Sequence, residues 1–111
     1  GFSLLKIAQV IEGLVEQHGF AVVHNLVGHG VGLAVHEDPS IPHYVCNEYG
    51  EQDIVLKPGM VIAIEPMVSA GSPEIKVGRD GLSFETADGS LSAHFEHTIA
   101  VTTTGHQILT I

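Results

Sequence analysis

The sequence predicts an α+β fold, and three features predict it. One amphipathic helical stretch opens the chain, short apolar strands fill its second half, and no strand–helix–strand alternation links them. The 111 residues suit one domain, and no internal repeat, low-complexity tract or linker divides them.

Each element follows from local chemistry. In residues 3–18, Leu4, Ile7, Ala8, Ile11, Leu14 and Val15 recur at the spacing of one buried helical stripe. Ser3 is suited to cap the N-terminus and Gly19 to end the helix, while Gly13 weakens it by about 1 kcal/mol relative to Ala. Residues 20–24 are short, β-branched and apolar, and predict a strand. Residues 28–32, Gly-His-Gly-Val-Gly, exclude a regular element of any length. Their alternate glycines let the backbone pass close to a neighbour or take positive φ. Residues 36–58 are rich in Pro, Asp, Asn, Gly and Glu and predict a long surface loop. From Gly59 onward the pattern is β. Residues 60–65 form an apolar run ending in Glu65, residues 75–77 and 82–86 flank a turn, residues 94–101 alternate, and residues 106–111 predict a last strand.

Composition narrows the function. Four Lys and Arg against 13 Asp and Glu give a net charge of −9, which excludes sequence-independent binding to nucleic acid or an anionic membrane. No apolar run reaches the ~18 residues of a membrane span. The opening GFSLLKIAQV has neither the basic region nor the cleavage site of a signal peptide, and a start at Gly1 fits a processed or cut piece. A single cysteine, Cys46, excludes an intrachain disulfide framework and suits a reducing, cytoplasmic compartment. No basic residue neighbours Cys46 in sequence to activate it as a nucleophile.

Eight histidines accompany the carboxylates. Such a mixture can bind divalent cations, although an acidic protein with scattered histidines has the same composition. Position sharpens the choice. Glu65 and Glu96 both fall inside strand patterns, where a buried carboxylate needs a partner or a metal. Strand parity sets His94, Glu96 and Thr98 on one face. Pairing with a histidine, or an exposed strand edge, would also account for either glutamate. His29 lies among glycines that leave room around its ring, whereas His18, His24 and His106 read as ordinary surface or core residues. The sequence contains no G-x-G-x-x-G, Walker A, His-Glu-x-x-His helix, cysteine-rich zinc motif or G-x-S-x-G elbow. His29, Glu65 and Glu96 therefore stand as candidate ligands, a nitrogen and oxygen set suited to Mn, Fe(II), Co or Zn.

Four stretches carry a family resemblance: GHGVG at 28–32, HEDPSIPHY at 36–44, LKPGMVIAIEPM at 56–67 and DGSLSAHFEHTIAVT at 88–102. Together they resemble the C-terminal half of type I methionine aminopeptidases, metallopeptidases of the pita-bread fold. The resemblance implies that residues 1–111 form half of a pita-bread domain, a curved antiparallel sheet with helix 3–18 on its outer face. It implies His29, Glu65 and Glu96 as metal ligands and His36 as a substrate-binding, catalytic residue that stabilises charge on the scissile carbonyl. It further implies that Glu65 carries protons, and that two divalent ions (Co, Mn, Fe or Zn) about 3.5–4 Å apart share the complete site. Their bridging hydroxide would attack the carbonyl after an N-terminal Met of a peptide or nascent protein. Two further aspartate ligands and a second substrate histidine belong to the family's other half, so that half, or a homodimer mate, is an implied partner. Here Leu82 and Val35 stand where the family often has aromatics, and His94 replaces a common Gln. A catalytically inactive remnant or binding module, and a prolidase- or aminopeptidase P-like peptidase, are the alternative readings.

Overall fold

The computed structural model describes residues 2–46 and 53–111. One helix, α1 (Leu4–Gln17), precedes ten strands: β1 (Ala21–Val22), β2 (Gly28–Gly30), β3 (Glu37–Ile41), β4 (Val61–Ile64), β5 (Met67–Ser69), β6 (Ile75–Val77), β7 (Phe84–Thr86), β8 (Ser92–His94), β9 (His97–Val101) and β10 (His106–Ile108). They form a five-stranded sheet in the order β10-β9-β4-β2-β3, a three-stranded sheet β1-β5-β8 and the β6–β7 hairpin. All pairings among them are antiparallel. This is the predicted α+β class, and among the described residues no helix is long and apolar enough to cross a membrane.

The helix starts where Ser3 Oγ accepts the Lys6 N–H at 3.2 Å, and it gives way to Gly19 at φ 80°. Leu4 packs with Ile41 and Ile62, flanked by Ile7, Leu56, Ile64 and Ile99, so the first turns of the helix sit against the five-stranded sheet. The buried stripe is narrower than the periodicity predicts, because this core lies under the helix's first turns. Leu4 and Ala8 are buried, whereas Leu14 is 58% exposed.

Five expectations need correction. The stretch 36–58 is not wholly loop, since Glu37–Ile41 pairs with β2 as the edge strand β3. An edge position tolerates Pro39, whose missing N–H disqualifies it from a central strand; residues 47–52 lie outside the described residues. Gly28–Gly30 is a short strand rather than irregular backbone, held between β4 and β3. The last strand stops at Ile108 and the second hairpin strand starts at Phe84. Finally, residues 94–101 do not form one strand.

That last break positions the chemistry. Strand β4 pairs with β9 as far as Ile64 opposite His97, and β5 resumes with β8 at Met67 opposite His94. Between them Pro66 has no N–H to give a ladder; its carbonyl instead accepts the Phe95 N–H at 3.3 Å. One two-stranded ribbon thus passes from the large sheet to the small one through Glu65-Pro66 on one strand and Phe95-Glu96 on the other.

Candidate metal centre

Glu65 and Glu96 face each other at that passage, because the flanking register continued across it sets Glu65 opposite Glu96. Two carboxylates directly opposed on a ribbon repel unless a cation or a proton lies between them. Strand β2 adds His29, which sits opposite Ala63 of β4. Ligand atoms of His29, Glu65 and Glu96 all lie within 4.8 Å of one another. Three separate stretches of sequence are therefore brought together at one point.

The glycines around His29 make this approach possible. A Cβ on Gly28 would collide with the Ala63 carbonyl oxygen, and one on Gly30 with the Asp38 carbonyl. Neither glycine has positive φ. Close packing of three strands, rather than unusual backbone conformation, explains why glycines flank His29.

The His29 ring is oriented. Its Nδ1 lies 2.9 Å from the Gly30 carbonyl oxygen, which can only accept, so Nδ1 carries the proton. In the neutral ring Nε2 then presents a lone pair to Glu65 Oε1 at 2.9 Å. Two acceptors at that distance need a second proton or a cation between them. An imidazole tied by one nitrogen to a carbonyl, with the other facing a carboxylate, is the usual arrangement of a histidine metal ligand. The donor set fits a divalent ion.

Glu65 is held on several sides. Its side chain is only 13% exposed, and Oε2 lies 3.2 Å from His94 Nε2. Its main-chain N–H donates to His43 Nε2 at 3.2 Å. Glu96 differs from the expectation of a carboxylate buried in a strand. It is exposed, and its carboxylate has no hydrogen bond or ion pair among the described residues. His36 is also exposed and lies outside the three-residue group, yet its ring centroid stands 4.1 Å from that of His29 at an interplanar angle of 44°. His94 also reaches Glu65, so His94 and Glu96 stand on the same side of the passage, as strand parity sets them.

Sequence reasoning missed His43, which is fully buried within the stretch read as surface loop. Burial holds its imidazole down to about 4, and the nearby His94 pushes the same way. The available signal was its apolar setting, Ile41-Pro42-His43-Tyr44. Asp80 and Asp88 serve turns elsewhere. Main-chain N–H groups of Leu82 and Ser83 bond Asp80, and those of Ser72 and Ser90 bond Asp88, holding Asp88 down to about 2.

Residues 1–103 match the model of metallopeptidase family M24. The chain is 53% identical to methionine aminopeptidase 1 of Bacillus subtilis over 110 residues, 99% of this chain and 43% of that protein. It is 48% identical to the methionine aminopeptidase of Escherichia coli K12 over its whole length, 41% of that protein. Among solved structures it resembles methionine aminopeptidase from Thermotoga maritima with a TM-score of 0.90 and 47% identity, covering 98% of this chain and 43% of that one. The fold is thus that of a pita-bread protein, and the chain spans about two fifths of the length of these relatives.

Proposed function

The chain belongs to metallopeptidase family M24, and from that premise we propose that residues 1–111 are the C-terminal half of a methionine aminopeptidase catalytic domain. The observation that carries the reading is the convergence of His29, Glu65 and Glu96 within 4.8 Å from three separate stretches. In this reading the three residues hold divalent metal, and the substrate is a peptide or nascent protein beginning with Met. The compartment is the cytoplasm, in keeping with the single cysteine.

A divalent ion at this site supplies Lewis acidity and a nucleophile from water at neutral pH. The protein's own groups do the rest. Glu65, mostly shielded from solvent, takes up the proton released on attack and returns it to the leaving amine. His36 stands beside the His29 ring and donates to the scissile carbonyl oxygen as charge develops there. His94 shields the outer oxygen of Glu65 and keeps the carboxylate turned toward His29.

A second reading concerns the 111 residues by themselves. Among the described residues the group contains one imidazole and two carboxylates, enough to hold one ion with open positions. A two-ion site needs further carboxylates, which the rest of a pita-bread domain or a homodimer mate would bring. By itself the chain then binds metal weakly and cleaves little. Metal analysis and a peptidase assay on Met-Ala peptides, with and without an added N-terminal half, separate the two readings. Metal uptake with activity gained on complementation supports the enzyme. Metal uptake without activity in either state supports the binding module.

A further inference from the structure

We propose that His43 is a positioning residue for Glu65, fixing the carboxylate by accepting the Glu65 main-chain N–H. The inference rests on the reading of Glu65 as a metal ligand.

Glu65 lies just past the end of β4, where Pro66 interrupts the ribbon. Alternation along the strand turns its N–H to the β2 side, past His29 opposite Ala63 where pairing with β2 ends, so it needs an acceptor from outside the ladder. His43 Nε2 supplies it at 3.2 Å. Accepting through Nε2 requires the proton to sit on Nδ1. That atom is buried and has no hydrogen-bond partner among the described residues. A buried N–H without a partner is destabilising, so the ring is a poor choice for packing alone. The fold nonetheless makes room for it. A Cβ at Gly28 would lie 3.2 Å from both Cε1 and Nε2 of the ring, so glycine there keeps the space open. An apolar residue would fill the position without an unsatisfied atom, but it would leave the Glu65 amide without its acceptor. Holding that amide fixes the main chain from which the carboxylate extends toward His29. Partners of this kind affect metal affinity through the ligand they orient.

The test compares Mn2+ affinity by calorimetric titration in the full native polypeptide. His43→Gln retains an acceptor near the position of Nε2, whereas His43→Phe and His43→Leu retain only bulk. We expect His43→Gln to bind within about threefold of wild type, and His43→Phe and His43→Leu to bind about tenfold more weakly. Hydrogen exchange at the Glu65 amide should quicken in the last two only. Folded His43→Phe or His43→Leu protein that binds like wild type, while Glu65→Gln loses binding, would overturn the positioning role and leave the metal site standing. Equal binding by wild type and Glu65→Gln would remove the metal site and the inference with it. If neither apolar variant folds, nitrogen NMR of wild-type His43 decides. An unprotonated Nε2 coupled to the Glu65 amide is expected, and a protonated Nε2 contradicts the proposal.

Discussion

Glu65 and Glu96 occupy opposed positions on one ribbon, yet the protein treats them differently. Glu65 is shielded, touches His29 and His94 through its two carboxylate oxygens, and is tied to His43 through its amide. Glu96 is exposed, with its carboxylate unpartnered among the described residues. Half of the candidate centre is held by this chain's own contacts, and the other half is open to solvent. The difference shows that a ligand set and a finished site are separate achievements. Three stretches suffice to bring the candidate ligands together, but only groups packed behind a side chain fix it.

The largest expected effect follows from removing the fixed member. Glu65→Ala should abolish measurable metal binding and, in a complete enzyme, lower activity at least about a hundredfold, because in the proposed mechanism it also removes the proton carrier. Glu96→Ala should weaken metal binding by a smaller factor, since an unfixed ligand contributes less preorganisation. Calorimetric titration of the two variants side by side measures the asymmetry. Equal losses would erase it.

A second experiment moves the frame instead of the ligand. Gly28→Ala drives a methyl group into the Ala63 carbonyl and the His43 ring. It should destabilise by about 1–3 kcal/mol, as overpacking does, and lower metal affinity as well. Gly13 on α1 has open space around it, so Gly13→Ala should stabilise by up to about 1 kcal/mol and leave metal binding unchanged. Denaturant unfolding of both variants compares the crowded and the open glycine.

How much of this was legible in the sequence depended on local regularity. Helix 3–18 and the strand at 75–77 follow from periodicity and turn residues, and the structure has them at α1 and β6. Strand β3 was not legible, because Glu-Asp-Pro disguises an edge strand whose solvent side tolerates charge and proline. The residues of the candidate centre stood out because two glutamates fall inside strand patterns and a histidine lies among glycines. The exposure of Glu96 was hidden, since the break at Phe95-Glu96 is imposed by Pro66 on the opposite strand and not by its own neighbours. His43 was hidden for a related reason: its burial comes from β2 and β4 folding over a segment that looks like loop.

Acid should act on the fixed half first. The unfolded chain protonates histidine near 6.5, whereas buried His43 resists until about 4. Between these values the unfolded state binds the extra proton, so stability falls as pH falls through the window and is fully present above it. The loss amounts to at most about 3 kcal/mol. Denaturant unfolding at pH 7 and pH 4.5 reads it, and His43→Gln should flatten the dependence. A smaller loss should follow below about pH 4, as Asp88, held down to about 2, is protonated and releases the Ser72 and Ser90 amides.

His36 has the subtlest expected effect on binding. It stands beside the His29 ring without belonging to the ligand group. His36→Ala in a complete enzyme should therefore lower turnover about a hundredfold while metal content changes little. Equal loss of both would make it a ligand.

In the proposed site one cation unites the fixed and the open halves. Anomalous diffraction from a Mn2+-soaked crystal tests it most directly. A peak is expected among His29 Nε2, a Glu65 carboxylate oxygen and a Glu96 carboxylate oxygen, with the Glu96 side chain ordered toward it. A peak that leaves Glu96 turned to solvent, or one that lies away from His29 and Glu65, would contradict it.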